Sequence, residues 1–162
     1  MNLETVLAKF GPMTTSKATQ ILQERGRLSA EAARKRVSRR GETVRTLHGL
    51  PFPKRARFIY LDSQFGADNY WSALIQSIQE ANPAYAAALG GLRARGDLAL
   101  EKHFEIICGS PTRQKGQLAS SVVLDRLVSV RLLEALNIEG MGACVALAQS
   151  GNRENSNHLR CP

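Results

Sequence analysis

Apolar residues first recur at helical spacing in NLETVLAKFG, where Leu3, Val6, Leu7 and Phe10 share one face and Gly11-Pro12 stops the run. The next stretch, MTTSKATQILQERG, places Ala18, Ile21 and Leu22 on one stripe, with Thr15 or Ser16 as N-cap and Gly26 as C-cap. After the short connection Arg27-Leu28, Ser29 caps a third helix that Gly41 ends. Period-two patterns follow. Thr43 to Leu47 and Arg57 to Leu61, rich in Thr, Val, Ile, Phe and Tyr, predict two short strands. Between them HGLPFPKRA holds Pro51 and Pro53, which a central strand does not accept, so it is expected as a hairpin tip.

The second half repeats parts of this order. Trp71, Leu74, Ile75 and Ile78 predict a helix, and Pro83 starts another. HFEIICG reads as a buried strand. Leu118, Val122, Val123, Leu127 and Val130 mark a further helix, and LLEALNIEGMGACVALA reads as strand, glycine turn, strand. The half is expected to be either a second, degenerate copy of the first module or an α+β dimerisation domain. The end, QSGNRENSNHLRCP, is polar and unpatterned, and residues 149–162 are expected as a disordered tail.

Charge changes this picture. The 162 residues carry a net charge of +8, but residues 1–61 hold 13 Lys and Arg against 4 Asp and Glu, whereas residues 62–162 hold 9 against 10. The whole excess lies in the first module, which suits a polyanion-facing unit joined to a neutral one. It concentrates in the third helix, where Arg34, Lys35, Arg36, Arg39 and Arg40 fall within seven residues. On a helical wheel Ala30, Ala33 and Val37 form a narrow inner stripe, and Lys35, Ser38 and Arg39 lie together on the outer face. Lys, Arg and Ser are side chains that read base edges in a major groove, so these three are the candidate readers. Arg34, Arg36 and Arg40 flank them as candidate phosphate contacts. Thr15, Ser16 and Lys17 open the second helix, whose amides and dipole attract phosphate. Arg45, Lys54, Arg55 and Arg57 bring further cations to the strands and the hairpin tip.

Three helices followed by a basic-tipped hairpin resemble the winged helix-turn-helix superfamily across residues 1–61. The closest likeness is to the short winged modules of abortive-infection type antitoxins, in which a basic helix ends in Gly and leads through V-R-x-L to an aromatic-ended strand, as Gly41, Val44-Arg45 and Tyr60 do here. The resemblance implies an α+β, mostly α, fold and possession of a duplex-DNA-binding surface, with two tandem winged-helix domains as the extended form. Residues 68–148 then form the second winged-helix-like or dimerisation domain. A homodimer is expected, with the apolar helices around Trp71 and Val122 as its interface, and so is a role in transcription regulation or operator binding. The alternative is a winged-helix protein-interaction scaffold or a subunit of a larger DNA-processing or defence complex.

Other chemistries are less well served. Single-stranded RNA modules expose sheet aromatics, whereas Phe58 and Tyr60 are expected to pack the wing onto the helices. His48, His103 and His158 lack ligand spacing, GSPTRQKGQ fails the phosphate-loop pattern, and no carboxylate cluster is paired with a Lys. Glu101, His103 and Glu105 in EKHFE would share one solvated face of a strand. Neither catalytic residues nor a metal or cofactor is expected. The odd, scattered Cys108, Cys144 and Cys161 suit reduced thiols in a cytoplasm. No apolar run reaches the length of a membrane span or a signal sequence.

Overall fold

The structure, a computed structural model, describes residues 1–47, 52, 56–79, 81–108 and 119–148. Its chain is α+β and mainly helical, and it divides into two compact units, Met1–Ser77 and Ile78–Pro162. The predicted tip residues Lys54 and Arg55 and the expected tail, 149–162, lie outside the described residues.

The first unit runs α1 (Leu3–Phe10), β1 (Met13–Thr14), α2 (Thr15–Glu24), α3 (Ala30–Ser38), β2 (Val44–Leu47) and β3 (Phe58–Leu61). Asn2 caps α1 by accepting from the Thr5 amide at 2.7 Å, and Gly11 ends it at φ 85°, a left-handed conformation that only glycine adopts without strain. Two helix boundaries differ from the sequence reading. The N-cap of α2 is Thr14, whose hydroxyl accepts from the Lys17 amide at 3.3 Å. Gly26 does not supply a left-handed φ; Arg27 does, at 54°. Gly26 is required because a Cβ there would stand 2.5 Å from the Leu22 carbonyl oxygen. That oxygen also accepts from the Leu28 amide, tightening the turn into α3.

Strand β1 was absent from the sequence reading because two residues carry no period. It pairs antiparallel with β3, and the sheet order is β1-β3-β2. The register puts Met13, Val44 and Ile59 on one face, where they join Leu3, Val6, Leu7, Ala18, Leu22, Ala33 and Val37 in a core. Phe58 and Tyr60 point the other way. They do not pack the hairpin onto α1–α3, as expected, but meet Tyr70 of α4 (Asp68–Gln79) with ring centroids 5.7 and 5.0 Å apart. Phe52 and Phe65 extend the cluster. The start of α4 therefore packs with the first unit, and the division falls at Ser77, later than the sequence boundary between 61 and 68.

The second unit runs α5 (Pro83–Ala94), β4 (Leu98–Leu100), α6 (Phe104–Ile107), α7 (Ser120–Ser129), β5 (Leu133–Ile138) and β6 (Gly142–Leu147). HFEIICG is not a strand: a 3-10 turn at Glu101–His103 leads into α6, so Glu101, His103 and Glu105 do not line one strand face. Here the pattern of Phe104 and Ile107 buried three apart outweighed the β-branched composition. The sheet order, β4-β6-β5, is that of the first unit. The register matches as well. Val44↔Leu61 through Leu47↔Phe58 correspond one for one to Leu133↔Leu147 through Leu136↔Cys144, and Met13↔Ile59 to Ala99↔Val145. The chain holds the same helix–strand–helix–helix–hairpin arrangement twice.

Two measurements test this packing. Tyr70→Ala removes a ring set against four others and is expected to cost about 3–5 kcal/mol in urea unfolding. Thr46 is fully buried on the helix-facing side of the sheet, and its hydroxyl has no hydrogen-bond partner among the described residues. Thr46→Val exchanges that hydroxyl for a methyl group of similar shape, so the same experiment should find stability unchanged or raised by about 1 kcal/mol.

Candidate nucleic-acid interface

The basic helix α3 begins at Ser29, whose hydroxyl accepts from the Ala32 amide at 3.2 Å, and ends at Ser38. It is two residues shorter than predicted, so Arg39 and Arg40 follow it in non-helical backbone and Gly41 plays no capping part. Ala33 and Val37 anchor it, with Ala33 fully buried against the core, but Ala30 is exposed. A small residue at 33 lets α2 and α3 approach closely, and the outer side of α3 is left to solvent.

The cations do not divide as the helical wheel suggested. Lys35 Nζ lies 3.0 Å from Glu31 Oε1, one turn back, with both side chains largely exposed (63 and 72%). An exposed pair of this kind contributes about 0.3–0.5 kcal/mol and yields readily to a stronger anion. Arg36 leaves the outer face and donates from Nη1 to the Met1 carbonyl at 2.7 Å. Arg45 lies in the sheet, 20% exposed, with Nε 3.5 Å from Asp62 Oδ1, and its register partner is Tyr60. Its charge is matched within the fold, away from α3.

What does gather is a different set. Arg34, Ser38 and Arg40 line an open hollow of about 530 Å³ together with Thr15, Ser16 and Thr19 from the start of α2 and Arg57 at the foot of β3. Three elements thus bring three guanidiniums and four hydroxyls to one concavity. Its frame is rigid. The Thr15 amide donates to the Arg57 carbonyl at 2.7 Å, and the Arg57 amide donates to Thr15 Oγ1 at 3.1 Å. Thr19 Oγ1 donates to the Thr15 carbonyl at 2.9 Å. The Thr15 and Thr19 hydroxyls are thus engaged in holding the walls, whereas Ser16 and Ser38 are exposed. Lys17, also exposed, stands one residue beyond on α2. The value of Arg57 was legible only as one more charge near the hairpin; its place beside α2 depends on the β1–β3 pairing that the sequence reading lacked.

A second hollow, about 660 Å³, is lined by Glu4, Thr5, Ala8, Thr43, Leu61, Asp62 and Ser63 and carries carboxylates instead. Phe58 and Tyr60 are fully buried, so their rings are not offered to bases. Trp71 is only 4% exposed, so its ring is packed within the chain. Among the described residues no group of three or more His, Cys, Asp and Glu is placed to hold a metal ion, and no helix is long and apolar enough to cross a membrane. Burial, aided by the charge of Glu105, pushes the half-buried Cys108 thiol up to about 11. Comparison with family models, with curated proteins and with solved structures finds no match to this chain.

The Cys108 thiol is therefore protonated near neutrality and a poor nucleophile. Titration of the folded protein with a chromogenic disulfide at pH 8 should modify it at least about tenfold more slowly than the same residue in the urea-unfolded chain, and the rate should still be rising above pH 10.

Proposed function

We propose that residues 1–77 form a winged helix-turn-helix that binds duplex DNA, with α2 and α3 as the helix pair and β2–β3 as the wing. The observation that carries this reading is the convergence of Arg34, Arg40 and Arg57 on one hydroxyl-lined hollow beside the exposed side of α3. Guanidiniums and hydroxyls are the donor set that phosphate oxygens accept from, and a concavity shared by two helices and a strand suits a backbone that bulges. Lys35 and Arg39 stand beside it on the exposed side, and Lys35 can exchange its contact with Glu31 for a base edge. The division of labour thus shifts: Arg34, Ser38, Arg40 and Arg57 with Ser16 grip the backbone, Lys35 and Arg39 read, and Arg36 and Arg45 serve the fold. Buried rings weigh against single-stranded RNA as the ligand.

In this reading the protein is a non-enzymatic operator binder acting in transcription regulation or in an antitoxin-type locus. A nine-residue α3 covers few base pairs, so two copies acting on a repeated site supply the specificity.

The test is fluorescence anisotropy with duplex DNA between 50 and 200 mM salt. The logarithm of affinity should fall linearly with that of salt, by about 0.9 for each phosphate engaged. Arg34→Ala, Arg40→Ala and Arg57→Ala should each weaken all duplexes alike and lower that slope by about 1. Arg36→Ala should leave the slope unchanged. Selection from a random pool with Lys35→Ala/Arg39→Ala should lose the enriched motif while general affinity persists. Absence of duplex binding at 50 mM salt, or a slope indifferent to all three hollow arginines, refutes the reading.

A further inference from the structure

The shared strand order and matching pairing of the two units allow the cationic hollow to be located a second time. Ala33 and Val37, the buried positions of α3, correspond to Val123 and Leu127 of α7, again four apart and buried. On that alignment Arg34, Lys35, Ser38 and Arg40 become Leu124, Asp125, Val128 and Val130. The β1–β3 and β4–β6 registers carry Arg57 to Ala143. With Ala18 matched to Phe104, both buried, they also carry Thr15 to Glu101 and Thr19 to Glu105. Every guanidinium of the first hollow is replaced by an aliphatic group, Lys35 and the hydroxyls of Thr15 and Thr19 by carboxylates, and Ser16 alone by a cation, the exposed Lys102.

This exchange reverses the chemistry of the surface. Leu124, Val128 and Val130 are half-buried, and Ala143 is exposed. Glu101, Glu105 and Asp125 are exposed, and Ile106, next to Glu105 on α6, is 69% exposed. Of the two nearby cations, Arg126 is directed to the Tyr85 hydroxyl, to which Nη1 donates at 3.1 Å, and the exposed Lys102 leaves carboxylates in excess, three to one. Carboxylates repel a nucleic-acid backbone and attract Lys and Arg, while the aliphatic groups reward burial of an apolar face.

We propose that this surface of the second unit, at α6 and α7, docks a protein segment: an amphipathic helix with an apolar stripe flanked by Lys or Arg. Charge complementarity selects that occupant over an acidic segment, and the apolar centre selects it over a merely basic one. The same backbone framework serves in one unit as a polyanion grip and in the other as a receptor for a cationic amphipath. The proposal stands independently of DNA binding by the first unit, which is itself basic and repels such a segment.

The full chain is to be titrated into a fluorescein-labelled Leu/Lys amphipathic peptide of about 16 residues and, in parallel, a Ser/Lys peptide of equal charge. Saturable micromolar binding of the Leu/Lys peptide, at least tenfold tighter than the Ser/Lys peptide, is expected. Val128→Asp should weaken it at least tenfold. Because a half-buried site can disturb folding, the exposed pair Glu105→Lys/Asp125→Lys serves as the second variant and should weaken it comparably while leaving the thermal midpoint and duplex binding unchanged. Equal binding of the two peptides, or affinity indifferent to the double charge reversal, overturns the proposal. So does concentration-dependent self-association in light scattering that Val128→Asp abolishes without any peptide binding, since the occupant would then be a second copy of the chain.

Discussion

The first unit depends on burial of β3 from both sides. Phe58, Ile59 and Tyr60 are all fully inaccessible. A strand with neighbours on both edges has its backbone groups satisfied, and one with cover on both faces must be apolar at successive positions, not alternate ones. FIYL meets that demand: Ile59 enters the core of α1–α3, while Phe58 and Tyr60 stack against Tyr70. Because β3 is held on every side, the residue that enters it, Arg57, is held too, and its main chain clamps Thr15 at the start of α2. The geometry of the hollow follows from that clamp. The arginines can be flexible at their tips and still converge, since their Cα positions are set by buried neighbours.

Much of this was legible in the sequence because it rests on local rules. Ser29 as a cap, Ala33 and Val37 as the inner stripe of α3, and the two hairpin strands all follow from short-range periodicity and side-chain chemistry. What stayed hidden depends on partners distant in the chain. β1 is a strand only because β3 lies beside it, and the α4 cover is visible only once Phe58 and Tyr60 are known to face away from the helices. The cationic face was predicted from an ideal wheel, yet α3 ends at Ser38, Arg36 turns to Met1, and Lys35 pairs with Glu31. A wheel assigns direction to Cβ atoms; where a long side chain ends depends on which acceptor it meets. Arg45 shows the same limit. It stands in the basic segment by sequence, but the register places it next to Asp62.

The internal correspondence separates framework from chemistry. Helices, strand order and pairing register repeat between the units, so the demands that fix them must be met by both sequences: a buried pair four apart on the third helix, apolar residues at the hairpin base, and a short strand ahead of the second helix. Outside those positions little is shared. Phe58 and Tyr60 give way to Cys144 and Ala146, removing the rings that α4 covers in the first unit. Arg34, Ser38 and Arg40 give way to Leu124, Val128 and Val130. The first unit is far more basic than the second because of substitutions such as these and not because of the fold, which accepts them at positions outside the buried pairs that hold α3 and α7. Function in such a chain has to be argued surface by surface: a framework that accepts converging arginines at one copy of a set of positions and aliphatic side chains at the other carries no ligand preference of its own.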